Sequence, residues 1–410
     1  MGSFRKKVYA TAGYNTIFFG PGRKEFDPKK PMPTIETYLK EAASGVLAQL
    51  PHSEIDEGVI GSFMAWQFIK QGNLPGFLPF MIPNLKGKPC FAVEGACGTG
   101  GRAIGLGIRS ILADVADSVF VSGFEIQNNM KALYGADLLA GAAYYAKERK
   151  KGHAFFFPGL FSDRAEAYGK KYGEELMRKG MAAWYAMSIV NARKNPKAQE
   201  FHNQTEDLFS LAMTPPDGDK FVPALNLFNC SKVSDGASAI MLLSEKGLEQ
   251  FGISKSDAIE IVAIGEAEGD LTLPPDELTE MNITGIAARK ALAAAGISLA
   301  DIGKLEIHDC FAITALLTLE AIGAAEAGKG ANMIIDGLCG ATGPMPTNLS
   351  GGLTAFGHPT GATGVRQLVD LHAQLTGKAD NYVASTKPYG MMISMGGNDK
   401  TVSAIIAKPA

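Results

Sequence analysis

Cys97-Gly98-Thr99-Gly100-Gly101-Arg102-Ala103-Ile104 has a counterpart near the other end of the chain, His358-Pro359-Thr360-Gly361-Ala362-Thr363-Gly364-Val365. Thr99 aligns with Thr360, Gly100 with Gly361 and Ile104 with Val365, and eleven residues past each first position stand Ile108 and Val369. Each stretch is a glycine-rich turn leading into an apolar stripe. In the first, Ile104, Ile108, Ile111 and Leu112 fall at i, i+4, i+7 and i+8, one face of a helix. Short strand patterns surround these units: Ser118–Gly123, Ile259–Ile264, Leu305–His308 and Thr401–Ala407. Alternating strands and helices predict an α/β fold with a mainly parallel sheet. The repeated unit predicts that the fold is built twice, with two corresponding helix N-termini facing one shared site.

Between the halves the pattern changes. Residues 127–228 are rich in charge and aromatics (Lys147-Glu148-Arg149-Lys150-Lys151, Phe155-Phe156-Phe157-Pro158, Tyr168–Tyr172), and Glu174–Ala192 reads as an amphipathic helix. Strand signals are weak there, so this stretch is expected to be a helical insertion. The division is then 1–126 and 229–255 for the first half, 127–228 for the insertion and 256–410 for the second half.

The 410 residues are 46% hydrophobic and 20% charged, enough to bury a sizeable core, which excludes a disordered tail or a disulfide-stapled mini-domain. A formal charge of −3 offers no global field for nucleic acid or acidic lipid. Met1–Gly22 carries no apolar leader and no stretch reaches ~18 uninterrupted apolar residues, so neither a signal peptide nor a membrane anchor is expected. Five cysteines without a Cys-x-x-Cys spacing indicate free thiols, neither a disulfide framework nor a zinc site, and a cytoplasmic setting.

Three segments could carry chemistry. Cys97 opens a helix, where the dipole favours thiolate over thiol, unless it is a buried core cysteine. His358 lies between glycine and proline at a helix mouth, poor packing material and good base material. His308-Asp309-Cys310-Phe311 follows a strand and precedes an apolar helix. Asp309 is expected to cap that helix, and Cys310 to be a second acidified thiol or a core residue. Cys90, Cys230 and Cys339 read as packing, His52, His153 and His202 as solvated, and His372 as a satisfied helix residue. Lys147–Lys151 reads as wet surface, with the phosphates of a large anionic cofactor as the alternative.

Taken together, Val93-Glu94-Gly95-Ala96-Cys97, His308-Asp309-Cys310-Phe311, Gly351–Gly364 with its Gly-His-Pro, and Met395-Gly396-Gly397-Asn398 resemble the thiolase superfamily, sterol-carrier-protein type, over nearly the whole chain. The resemblance implies a duplicated five-layered α/β/α/β/α fold with a helical loop domain inserted in the first half. It implies reversible Claisen chemistry on a 3-oxoacyl-CoA, with coenzyme A as co-substrate and no permanently bound cofactor or metal. By carry-over, Cys97 is acylated, His358 activates it, and His308 helps to hold a substrate oxygen. Backbone N–H groups of Cys97 and Gly396 form a second oxyanion hole, and Cys310 is the acid/base. Where many relatives place a second catalytic cysteine, this chain has Ser394, too weak an acid for the role. A homo-oligomer and a small zinc-ribbon/OB-fold accessory subunit are further implications, with acyl-CoA and CoA as ligands and neither nucleic acid nor membrane as partner. The alternatives are a ketoacyl or hydroxymethylglutaryl-type condensing synthase, which Cys310 argues against, and a non-catalytic scaffold or lipid carrier. Phe155, Phe156, Phe157, Phe161 and Trp184 could line a pocket for an aromatic or branched acyl group; core is their expected role.

Overall fold

The computed structural model describes residues 4–410. The reading of Met1–Gly22 begins on residues 1–3, which lie outside the described residues. Among the described residues no helix is long and apolar enough to cross a membrane.

Among the described residues nine strands form one sheet: β1 (Val8–Asn15), β2 (Glu57–Gly61), β3 (Cys90–Val93), β4 (Ser118–Glu125), β5 (Gly236–Ser244), β6 (Ala258–Glu268), β7 (Ile302–Glu306), β8 (Tyr389–Gly396) and β9 (Thr401–Pro409). Their order is β3-β2-β4-β5-β1-β6-β9-β8-β7. β1 meets β6 antiparallel at the centre, Val8 opposite Ile261 and Ala10 opposite Ile259. Outward from β1 the pairings run antiparallel to β5, antiparallel to β4, parallel to β2. Outward from β6 they run antiparallel to β9, antiparallel to β8, parallel to β7. The second half thus repeats the first strand for strand, apart from the extra edge strand β3. The duplication expected from the two glycine turns is present.

The mainly parallel sheet is not. Only β2–β3, β2–β4 and β7–β8 are parallel, and the other five pairings are antiparallel. Helical crossovers make parallel neighbours, whereas β8 and β9 are joined by residues 397–400, a connection that can only return the chain antiparallel.

Layering follows from which faces are apolar. The helices are α1 (Ile35–Leu47), α2 (Thr99–Leu112), α3 (Phe156–Tyr172), α4 (Glu174–Ala192), α5 (Asn282–Ala295), α6 (Ala312–Ala321) and α7 (Thr360–Leu375), with shorter turns between. Ile104, Ile108 and Ile111 of α2 and Val365, Leu368 and Leu371 of α7 share a cluster with Val59 and Val121 of the first half and Met392 and Ile405 of the second. Each such side chain contributes about 1.5–3 kcal/mol when fully buried. The pair α2/α7 is therefore the central layer between the two halves of the sheet. Leu39 and Ala42 of α1 cover Tyr9 and Ala237 on one outer face, and Ala287 and Ala291 of α5 cover Ala263 and Ala404 on the other. Helix, sheet, helix pair, sheet and helix make the five layers expected, the two sheet layers being continuous through β1–β6.

The central helices touch backbone to backbone. A Cβ on Gly364 would lie 2.3 Å from Gly101 N, and one on Gly100 would lie 2.6 Å from Gly364 N. Side chains there would force the halves apart, and with them the two helix N-termini that carry the site.

Between β4 and β5 the chain runs through helices with no strand. α3 and α4 are separated by Gly173, whose φ of +112° suits glycine and lets the chain turn back at once. Phe161, Ala165, Met181 and Trp184 of this pair pack on Ile313, Leu316 and Leu317 of α6, which follows Cys310.

Candidate active site

Each reactive side chain stands where a strand hands over to a helix. Cys97 sits in a single helical turn, Ala96–Gly98, between β3 and α2. The preceding Ala96 has φ of +53°, a strained value for a residue with a side chain. The elbow is held by Thr99 Oγ1, which donates to Ala96 O (2.6 Å) and accepts the Gly95 N–H (3.0 Å). Cys310 lies between β7 and α6, and its carbonyl accepts the Ser231 N–H at 2.9 Å. His358 precedes α7; its N–H donates to Ser234 Oγ (2.9 Å) and its carbonyl accepts from Gln127 Nε2 (3.0 Å).

These distant segments converge. Cys97 Sγ and one ring nitrogen of each of His308 and His358 all lie within 4.8 Å of one another. The imidazoles meet edge to face at 5.1 Å. Cys97, Cys310, His308 and His358 all line one cavity of about 320 Å³, with Gln127, Thr360 and Gly397 beside them.

The hydrogen bonds behind each ring assign opposite tautomers. The Met395 N–H reaches His308 Nδ1 (3.4 Å) and can only donate, so the His308 proton sits on Nε2. His358 Nδ1 lies 2.7 Å from Thr363 Oγ1, whose own proton is directed to Pro359 O at 3.0 Å. His358 therefore donates from Nδ1 and presents a bare Nε2. Both Nε2 atoms are buried and have no protein partner. One imidazole thus offers a lone pair to the cavity and the other an N–H. The trio would pass for a metal-ligand set on distance, but a metal-bound imidazole hands its second N–H to an acceptor. His308 does the reverse.

Burial sets the protonation states. It pulls His358 down to about 3, helped by the Arg366 cation, and holds His308 well below the usual range, helped by His358 and Arg366. Both rings are neutral at pH 7. The thiols contradict the expectation of acidified cysteines. Burial first, then the Glu125 carboxylate, pushes Cys97 up to about 12, against the pull of N–H groups from Gly397 and Cys97 itself. Burial, then Cys97 and Asp309, holds Cys310 well above the usual thiol range. A helix N-terminus contributes about 0.3–1 kcal/mol, whereas full burial moves a group by as much as ~3–5 units of ~1.36 kcal/mol each. The dipole loses. Alkylation of Cys97 by iodoacetamide is accordingly expected to accelerate about tenfold per pH unit from pH 7 to 10, because the thiolate fraction rises with pH below the thiol's pKa. A rate that levels off below pH 8 would show an acidified thiol instead.

Gly396 packs against the elbow, since a Cβ there would lie 2.3 Å from Gly95 O, while the N–H that reaches the Cys97 sulfur belongs to Gly397. Ser394 is fully buried beneath the helix crossing, where a Cβ on Gly364 would lie 2.8 Å from its Oγ, and it does not line the cavity. Ser394→Ala removes a buried hydroxyl that has no hydrogen-bond partner and does not line the cavity, and is expected to leave kcat within about twofold; a large loss in steady-state turnover would place Ser394 in the chemistry.

Asp309 does not cap the helix after it, since Phe311 stands at that position. Its carboxylate accepts from Leu353 N (2.7 Å), Asn348 Nδ2 (2.8 Å), Thr354 Oγ1 (2.8 Å) and Trp184 Nε1 (2.9 Å), tying α4 to the loop that leads to His358. Phe155, Phe157 and Phe161 line the cavity with Phe68, Phe221 and Phe311, whereas Phe156 and Trp184 are core. Cys230, read as packing, is buried and also lines the cavity. His372 is satisfied by Asp257 O at 2.9 Å, as expected. His52, His153 and His202, read as solvated, each have a partner: Gln250 O, Asp163 and Glu25. In the basic run, Lys147 lies over the Tyr144 ring and Arg149 pairs with Asp137.

Sequence reading missed Glu125. It is fully buried at the end of β4 and accepts from Ser62 Oγ (2.8 Å), Thr360 Oγ1 (2.7 Å) and the N–H groups of Phe63, Met64 and Gly361. It thereby joins the first half to the N-terminus of α7. An acid closing an apolar strand run was the one available signal.

Comparison with known proteins identifies the family. A family model described as "Thiolase C-terminal domain-like" matches residues 272–408. The chain is 30% identical over 372 residues to the acetyl-CoA acetyltransferase of Methanothermobacter thermautotrophicus, covering 90% of this chain and 93% of that protein. It is 30% identical over 394 residues to Homo sapiens sterol carrier protein 2, covering 91% of this chain and 67% of that one. Among solved structures, an Ltp2-ChsH2(DUF35) aldolase superposes with a TM-score of 0.78 at 18% identity, over 98% of both chains. Human mitochondrial 3-ketoacyl-CoA thiolase in complex with CoA superposes at 0.69 with 19% identity, over 100% of this chain and 99% of that one. With its duplicated five-layered fold and this likeness along nearly its whole length, the chain belongs to the thiolase superfamily and is an acyltransferase of the sterol-carrier-protein type.

Proposed function

We propose that the chain cleaves a 3-oxoacyl-CoA with CoA, and runs the reverse Claisen condensation, through an acyl group carried on Cys97. The observation that carries this reading is the meeting of two thiols and two imidazoles around one cavity. In the cleaving direction His358 Nε2 takes the Cys97 proton as sulfur attacks the 3-oxo carbon. The resulting alkoxide is held by backbone N–H groups of Cys97 and of the 396–397 turn. The C2–C3 bond breaks with its electron pair moving to C2. The enolate oxygen is held by His308 Nε2–H and protonated His358, and Cys310 delivers its proton to C2. Cys310 then takes the proton of incoming CoA, whose sulfur attacks the acyl carbon. Cys97 leaves and regains its proton from His358.

A carbon acid is a far weaker acid than a thiol, so Cys310 needs no low pKa to protonate C2. A thiol kept protonated by burial is the better-prepared donor.

The acyl group is proposed to be bulky and apolar, aromatic or branched. Six phenylalanines line the cavity, with Phe161 and Phe311 stacked at 4.6 Å and Phe155 and Phe221 tilted against each other at 5.1 Å. Such walls reward ring or branched burial and offer a bare acetyl group little contact. CoA is the co-substrate in this proposal, and the division into halves and a 127–228 loop domain is its working frame. A homo-oligomer is proposed as well: β3 ends the sheet with Phe91 43% exposed, an unpaired edge that a second copy would cover. A separate accessory subunit is supported by the aldolase of similar fold whose name joins Ltp2 to ChsH2(DUF35).

The test is thiolysis of a panel of 3-oxoacyl-CoA esters, read as loss of the enolate absorbance on adding CoA, with the intact mass of the protein read in parallel. Turnover that prefers aromatic or branched esters, with an acyl adduct on Cys97, supports the reading. No CoA-dependent cleavage of any member ends it.

A further inference from the structure

We propose that Thr363 is a positioning residue of the reaction: its hydroxyl fixes the His358 proton on Nδ1 and so leaves Nε2 free to receive the proton of Cys97. The inference rests on the reading of His358 as the base, and it concerns what makes that ring a base.

Thr363 is fully buried in the first turn of α7, five residues after His358. Its Oγ1 makes two close polar contacts, with His358 Nδ1 at 2.7 Å and with Pro359 O at 3.0 Å. A hydroxyl has one proton. If that proton goes to Pro359 O, Oγ1 accepts from a His358 Nδ1–H and both contacts are hydrogen bonds. If it goes to Nδ1 instead, Oγ1 and Pro359 O are left lone pair to lone pair at 3.0 Å in a buried setting. Pro359 O also accepts the Ala362 and Thr363 N–H groups, at 3.0 and 3.1 Å, so what separates the two arrangements is that lone-pair contact, which the first avoids. Threonine in a helix ordinarily donates to the carbonyl four residues back, which is Pro359.

The consequence lies on the other side of the ring. Nε2 is buried and has no protein partner, and one nitrogen of the ring lies within 4.8 Å of Cys97 Sγ; with Nδ1 engaged by Thr363, Nε2 is the nitrogen left for the thiol. With the proton on Nδ1, Nε2 is a lone pair facing a thiol that burial keeps protonated. With the proton on Nε2, an N–H would face an S–H and no group in the cavity would be placed to take the Cys97 proton. His308 cannot substitute, because the Met395 N–H occupies its Nδ1 and leaves its own Nε2 protonated. The hydroxyl therefore decides which of the two rings is the base.

Valine has nearly the shape of threonine and lacks the acceptor, so Thr363→Val removes this one bond, and Thr363→Ser restores it. Two readouts separate tautomer from packing. Long-range 15N–1H correlation of the His358 ring in the whole protein at pH 7 is expected to show the Nδ1–H form in the parent chain and in Thr363→Ser, and a shift to Nε2–H in Thr363→Val. Thiolysis kcat is expected to fall roughly 100-fold or more in Thr363→Val with KM for the 3-oxoacyl-CoA unchanged, and to stay within about threefold in Thr363→Ser. A parent ring protonated on Nε2, or a Thr363→Val protein with parental kcat, overturns the proposal. The ring spectrum of the parent chain stands even if Thr363→Val fails to fold. An Nδ1–H ring in a protein without thiolysis would sink the proposed reaction and leave the tautomer assignment intact.

Discussion

Cys97→Ser is expected to lower thiolysis by at least about 10⁴-fold, some 5.5 kcal/mol of barrier, and to eliminate the acyl adduct seen by mass. The argument is one of acidity and geometry together. Burial and Glu125 already push the Cys97 thiol to about 12, near the limit of what a neutral imidazole can deprotonate in concert with attack. An alcohol is several units less acidic again, and a harder nucleophile toward the 3-oxo carbonyl. The substitution is close to isosteric at a half-buried position, so Thr99 should keep the elbow closed and the fold unchanged. Circular dichroism and Tm close to the parent, with turnover gone, is the expected pairing. Retention within tenfold would mean that the acyl group is carried elsewhere or that no covalent intermediate forms.

That Cys97 could be singled out from the sequence follows from how local its setting is. A glycine turn before an apolar stripe is written in eight consecutive residues, and its repetition at His358 gave both the duplication and the meeting of two helix starts. Other features were invisible for a physical reason. Which neighbours β5, β1, β6 and β9 take depends on long returns rather than on any window of residues, so the sheet read as more parallel than it is. The acidity of Cys97 and Cys310 was misjudged because a helix N-terminus shows in the sequence, whereas the burial that outweighs it is made by segments far away. Phe155, Phe157 and Phe161 read as core for the same reason: an aromatic facing a cavity and one facing a core have identical local patterns. Glu125 and Thr363 act through hydrogen bonds to α7 and to His358, and a lone acid or hydroxyl carries no spacing by which such a bond could be read.

Cys310→Ala should separate the two halves of the reaction. Cys310 is buried, lines the same cavity, and is near enough to Cys97 that each thiolate would oppose the other. In the proposed sequence it touches the carbon acid and the CoA sulfur and makes no bond to the acyl group. Removing it therefore leaves Cys97 and His358 able to take an acyl group slowly, while both the protonation of C2 and the activation of CoA lose their agent. Turnover is expected to fall about 10³-fold, within the usual range for a lost acid/base, while incubation with acyl-CoA still shifts the protein mass by one acyl group. A third measurement reads the proton directly. Exchange of the C2 hydrogens of acyl-CoA with deuterated water should vanish in Cys310→Ala and persist in Ser394→Ala, because exchange requires a base at C2 and a donor to the enolate oxygen, and Ser394 supplies neither. Cysteine to alanine at a buried site leaves only a small void, so a loss of about 1 kcal/mol in stability is expected and a folded protein should be recovered. Full turnover, or undiminished exchange at C2, would show that another group handles the carbon acid and would leave Cys310 as packing beneath Phe311.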